Sequence, residues 1–228
     1  MEDQSTHERI LAAAARLFAT QGYEATTTRQ IVKEAGASLS SIQFHFQSKH
    51  ALYKEVLERT LSRFYDLNAP VLHEIDEMER QGLMNGNSAW DLIVQLTGRV
   101  ADWAFSTEYT DTILLINREA LNPGPGFKTM PDTFLGLYRY YERLFKAYTG
   151  VKDALWASGL SFSVVATLFD FANYPSVLGE VLGLDARAPE NILPIKTHIK
   201  GYLLTAMRAY LNERRLETAP DAERSVSE

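Results

Sequence analysis

The stretch Thr26–Lys49, TTTRQIVKEAGASLSSIQFHFQSK, decides how this 228-residue chain folds. Thr27 and Thr28 are placed to cap a short helix, because a hydroxyl oxygen satisfies an amide that the first helical turn leaves unpaired. Ile31, Val32 and Ala35 follow at i, i+1 and i+4, the spacing of one buried helical face. Gly36 then supplies the left-handed backbone of a tight turn, and Ser38 caps the next helix. There Ile42 and Phe46 form a buried i, i+4 pair, so Leu39, Ser40, Gln43 and His45 are expected to face outward. Two short crossed helices with small and amide side chains on the free face make a helix-turn-helix suited to a major groove. Glycine-linked helix pairs are also plain packing units in all-α proteins, and His45 has the alternative of packing against the chain's first helix.

Working outward, Ser5–Gln21 reads as a helix with the stripe Ile10, Leu11, Ala14, Leu17 and Phe18, stopped by Gly22. Lys49–Leu67 keeps an apolar face through Leu52, Tyr53, Val56, Leu57, Leu61 and Phe64 until Pro70, where a break or kink is expected. A tilt of this helix is the simplest way for a distant event to move the reader. Val71–Glu79 is helical with an acidic outer face, and QGLMNGNS (81–88) is turn-rich. Further helices are predicted over Ser88–Phe105, Thr107–Leu121, Pro131–Tyr148, Asp153–Tyr174 and Pro189–Asn212, with a loop at Asn122–Pro131 and with Pro175–Leu184 closing the helix before it. No strand alternation and no repeat occurs. The sequence therefore predicts an all-α protein: an amino-terminal three-helix DNA-binding domain over residues 1–50, a larger helical domain over 51–212, and a disordered polar tail over 213–228.

Pro131–Tyr148 is rich in aromatic residues. Tyr138 and Tyr141 there, with Trp103, Ile113, Asn117, Phe162, Phe169 and Asp170 elsewhere, are the candidate lining of a pocket for a small apolar or aromatic effector, and serve equally well as core. Asp170 stands between two phenylalanines, so it needs a partner if buried. Arg118 and Glu119 are expected to pair across the loop that follows them.

Hydrophobic residues make up 46% of the chain, enough for a substantial core, and there is no cysteine for disulfides, thiolate metal sites or nucleophilic catalysis. Met1–Glu8 is too polar for an export signal, and the longest uncharged stretch, Ala154–Phe169, has 16 residues, too few for a membrane span. A soluble, cytoplasmic protein is expected. Its net charge of −6 argues at first against DNA. Within residues 1–50, however, three Arg and two Lys balance four Glu and one Asp, and Ala25–His50 carries a local +2. Histidines 7, 45, 50, 73 and 198 form neither HExxH nor HxH, and no serine sits in GxSxG, so the reading contains no enzyme, no metal site and no cofactor.

Ile10 to Phe18, Gly22-Tyr23, Thr26-Thr27, Ala35-Gly36-Ala37-Ser38, Phe44-His45-Phe46, Ser48-Lys49 and Leu52-Tyr53 together closely resemble the TetR family of one-component bacterial regulators, over about the first 55 residues. Asn117-Arg118-Glu119 followed by Asn122-Pro123 is also similar to a subgroup tied to drug and antibiotic tolerance. The resemblance implies a homodimer paired through the helices at 153–174 and 189–212, and a ligand-responsive repressor of transcription. By the same resemblance Thr28, Arg29, Ser38, Leu39, Ser40, Ser41, Gln43, His45 and Lys49 are DNA contacts. Side-chain chemistry divides them: Thr28, Arg29, Ser41, His45 and Lys49 suit phosphates, while Leu39, Ser40 and Gln43 suit base edges and thymine methyls. The family commonly has tyrosine where Gln43 stands and glycine or proline near Ser40, so base preference does not transfer. The expected partners are a double-stranded operator, a small-molecule effector and a second copy, without a membrane. The alternative is a DNA-binding scaffold whose helical body binds a protein partner.

Overall fold

Local caps set the boundaries of the amino-terminal helices. The Ser5 hydroxyl accepts the Glu8 amide at 3.3 Å, and the Gly22 amide closes on the Phe18 carbonyl at φ +84°, which bounds α1 (Thr6–Gln21). In the computed structural model, which describes residues 5–121 and 131–218, the chain continues as α2 (Thr28–Ala35), α3 (Leu39–Phe46), α4 (Lys49–Arg80) and α5 (Gly86–Ala104). A 3₁₀ turn (Thr107–Tyr109), α6 (Thr110–Leu121), α7 (Pro131–Thr149), α8 (Ala154–Asn173), α9 (Pro175–Leu182) and α10 (Pro189–Thr218) follow. Every described element is helical and the fold is all-α. No single helix among the described residues is long and apolar enough to cross a membrane.

Two compact units emerge, Met1–Asp66 with Glu108–Phe134, and Leu67–Thr107 with Leu135–Glu228. In the first, α1 buries Ile10, Leu17 and Phe18 against Ile31, Ile42, Phe46 and Leu52. Removing those side chains from water is the main favourable term, at about 25 cal/mol per Å². In the second, Leu92, Leu96 and Val100 of α5 are buried, as are Tyr141 and Phe145 of α7 and Leu168 of α8. The Tyr141 hydroxyl, wholly enclosed, meets Thr97 Oγ1 at 3.0 Å, and burial pushes its phenol well above the ordinary range.

Several expectations require correction. Of the two outcomes expected at Pro70, the break does not occur: α4 runs 32 residues through it, because proline forfeits one amide bond while the rest of the ladder persists. Helix α5 starts at Gly86, two residues before the expected Ser88, since Asn85 caps it: its side chain accepts from the amides of Asn87 and Ser88, and the Ser88 hydroxyl accepts the Asn85 amide at 2.9 Å in return. Pro175 opens a separate short helix, its fixed φ suiting a first helical position, and Gly183 closes that helix in left-handed conformation. Helix α10 extends to Thr218, so 213–218 is helical where polar composition predicts disorder. Arg214 there bonds to the Tyr210 hydroxyl, and Arg215 lies over the Tyr148 ring. The loop at 122–130 and the tail beyond 218 lie outside the described residues.

Candidate nucleic-acid interface

The helix pair is held by four local devices. Thr27 and Gln30 form a reciprocal capping box at the start of α2, each side chain bonding the other's amide (2.7 and 3.2 Å). Gly36 at φ +60° receives no side chain from the sequence, and Ala37 N–H reaches back to the Val32 carbonyl at 2.9 Å. Ser38 Oγ accepts the Ser41 amide at 3.3 Å and also meets the Ser40 and Ser41 hydroxyls at 2.7 and 2.8 Å. At the far end Gln47 adopts φ +67° and ψ −37°, with Ser48 N–H on the Phe46 carbonyl, a tight turn that costs a residue with a Cβ.

These devices fix which side of α3 is free. Ile42 and Phe46 are buried, while Leu39, Ser40, Gln43, Phe44 and His45 are exposed. Helix α1 braces the pair from behind: Arg9 Nε donates to the Ala35 carbonyl at 3.1 Å and Arg16 pairs with Glu34 at 2.8 Å. Arg29 is also exposed, and Thr28 partly so, at the start of α2, where helical amides favour an anion. His45 satisfies both of its alternatives, since it stays exposed while its ring edge meets His7 of α1 at 5.6 Å.

Lys49 is placed differently from the rest. Its ammonium donates to the carbonyls of Tyr23 and Thr26 at 2.9 and 3.0 Å and lies 4.2 Å from the Tyr23 ring centroid. Two of its three donors thus hold the α1–α2 connection. Thr26 holds the same connection from inside, its hydroxyl bonded to the Gly22 carbonyl at 2.7 Å. Behind the connection Tyr53 donates to the buried carboxylate of Glu119 on α6, and Arg118 donates to the Thr20 carbonyl at 3.0 Å. Burial, then the bond to Glu119 and its charge, drive the Tyr53 phenol far above its ordinary value. Arg118 and Glu119 therefore attach α6 to α1 and α4, while the loop after them, across which they were expected to pair, lies outside the described residues.

Sequence reasoning missed Phe44. It lies two residues beyond Ile42, about 200° around the helix, opposite the buried pair, and that geometry alone would have found it. No sequence signal announces Tyr53–Glu119, whose partners lie 66 positions apart.

The candidate effector residues divide between the units. In the second unit Trp103 meets Phe169 edge-on at 5.5 Å, Tyr138 stacks on Phe162 at 6.2 Å, and Tyr141 is core. Ile113, buried, and Asn117 belong to the first unit. Phe162, expected inside, is 63% exposed, and Asp170 is exposed, so it needs no buried partner. Both turn outward because α8 buries the face of Val164, Val165 and Leu168 instead.

With the geometry described, the chain can be set beside known proteins. Residues 10–56 match the family model "Bacterial regulatory proteins, tetR family". The HTH-type transcriptional regulator AcrR of Shigella flexneri is 38% identical over 66 residues, 29% of this chain and 31% of its own length. The chain thus aligns with about a third of that relative. Among solved structures, AibR in complex with isovaleryl coenzyme A and operator DNA superposes with a TM-score of 0.64 at 15% identity, covering 88% of this chain and 98% of its own. The ketosteroid transcriptional regulator KstR2 of Mycobacterium tuberculosis gives 0.63 at 16%, covering 90% and 96%. At such identities the likeness establishes the fold.

Proposed function

With an amino-terminal domain of the TetR family, this chain is, we propose, a homodimeric, ligand-responsive regulator of transcription that represses from a palindromic operator in the cytoplasm. The observation that carries the proposal is α3, a helix capped at Ser38 and anchored by Ile42 and Phe46 whose free face holds Leu39, Ser40 and Gln43. Those side chains meet base edges, and Thr28, Arg29, Ser38, Ser41 and His45 meet phosphates. Lys49 contributes chiefly by positioning, given its carbonyl bonds. Residues 1–50 act as the reader, and residues beyond 50 provide effector binding and dimerisation.

The second copy docks on α8 and α10. Both leave apolar residues in water, Leu155 and Phe162 on the first, Leu193 and Tyr202 on the second, and α10 adds the outward row Gly201, Thr205, Ala209. Small residues at i, i+4 and i+8 let a partner helix approach closely. Paired helices set the two α3 segments about 34 to 36 Å apart, one turn of B-DNA. The effector is small and apolar, bound among the aromatic helices of the second unit. Its binding alters DNA affinity by favouring one of two arrangements of the dimer. A second reading, a scaffold whose body binds a protein partner, draws support from α9, which buries none of its residues.

Gel shift against the promoter region of the protein's own gene tests the proposal. A retarded band that Gln43→Ala weakens at least about tenfold is expected. No band with either protein, in the presence or absence of candidate effectors, overturns it.

A further inference from the structure

We propose that Phe44 reads the 5-methyl group of a thymine in the major groove, so that it discriminates bases rather than merely packing. The inference rests on α3 being the DNA-facing helix. Phe44 is 83% exposed, on a helix whose neighbouring apolar residues Ile42 and Phe46 are buried. It points directly away from that buried pair, so no rotamer change within α3 brings it into the core. Its ring meets only the edge of the His45 ring, at 4.9 Å, among its described aromatic contacts. One turn earlier on the same row stands Ser40, too small to shield it, with its hydroxyl turned to Ser38 at 2.7 Å.

The chemistry narrows what can cover this ring. A phenyl group has no donor or acceptor, so it cannot bind a phosphate oxygen or a base edge by hydrogen bonding. The apolar feature that the major groove offers at a base edge is the thymine methyl. On the adjacent row Leu39, 50% exposed, and Gln43 stand at i and i+4. The reading face is therefore two apolar groups flanking one amide. An amide recognises adenine N6 and N7, so the half-site holds a thymine within a base pair or two of the adenine that Gln43 contacts. Deoxyribose is the competing apolar surface, and contact with it would carry no base preference.

The test uses the full-length protein and its best site selected from random duplexes. Each thymine in one half-site is replaced singly by deoxyuridine, which removes only the methyl, and Kd is measured for wild type, Phe44→Ala and Phe44→Leu. At one thymine the replacement should weaken wild type about fourfold, the worth of one buried methyl group. Phe44→Ala should be indifferent to deoxyuridine at that position, keep the wild-type response at the others, and bind the thymine site more weakly; Phe44→Leu should retain part of the discrimination. Unchanged melting of both variants would show intact folding, as expected for a solvent-exposed side chain. The proposal is overturned if Phe44→Ala keeps the wild-type deoxyuridine profile, including the case of a uniform loss of affinity, which assigns the ring to deoxyribose. If wild type selects no sequence at all, the reading of α3 as a DNA reader fails and this inference with it.

Discussion

The two units treat their apolar side chains in opposite ways. In the first, nearly every large apolar residue of α1 to α3 is inside, and Leu39 and Phe44 stand out as exceptions on the one free face. In the second, α8, α9 and α10 leave Leu155, Phe162, Val177, Val181 (77% exposed), Leu193 and Tyr202 in water. The first unit completes its core from its own chain. The second presents surface of the kind that a further molecule covers.

Mutations can break or sharpen this contrast. The largest effect belongs to the closed core: Phe18→Ala, at a position with no exposure, should cost about 3 to 5 kcal/mol by urea unfolding. A cost below about 1 kcal/mol would mean that α1 is not the keystone. Truncating Phe162 on the open face should leave monomer stability within about 0.5 kcal/mol. Tyr53→Phe comes next, at about 2 kcal/mol, because it removes the hydroxyl that serves the buried Glu119 carboxylate. Tyr202→Glu should act on association instead, shifting the sedimentation coefficient from dimer to monomer at micromolar protein while far-UV circular dichroism stays unchanged.

How far the sequence was legible follows the same division. Caps and breakers act locally, so Ser5, Thr27, Gly36 and Ser38 mark their helices correctly, and the Ile42–Phe46 pair shows which side of α3 is buried. The exposed face of α3 was legible in Leu39, Ser40 and Gln43, and Phe44 joins it because it stands about 200° around the helix from Ile42. In the second unit, periodicity could not separate the two apolar sides of α8, because Phe162 and Val165 look equally buriable and only three-dimensional packing chooses between them. The absence of a break at Pro70 and the separate helix at Pro175 have another cause. Proline excludes one hydrogen bond, and whether the helix stops depends on packing that the local sequence does not contain.

Two smaller effects refine the picture of the closed unit. Gln47→Gly should stabilise by about 1 kcal/mol, read as an upward shift in urea midpoint, because glycine tolerates φ +67° without the Cβ penalty. The bond from Arg59 lowers the Glu8 pKa from its ordinary 4.5. A depressed acid contributes stability that is present above 4.5 and lost as pH falls through the lowered value. Wild type should therefore exceed Glu8→Gln slightly at neutral pH, with the gap closing below pH 4.5, and a gap that persists to pH 2 would assign it to something other than this pair.

The most direct measurement is selection from random duplex DNA by the full-length protein, followed by sequencing. Enrichment of a two-fold symmetric site with half-sites centred about 10 base pairs apart, lost with Gln43→Ala, is the predicted result. Enrichment of no sequence, or of a lone asymmetric half-site, would contradict the claim that a paired α3 reads DNA.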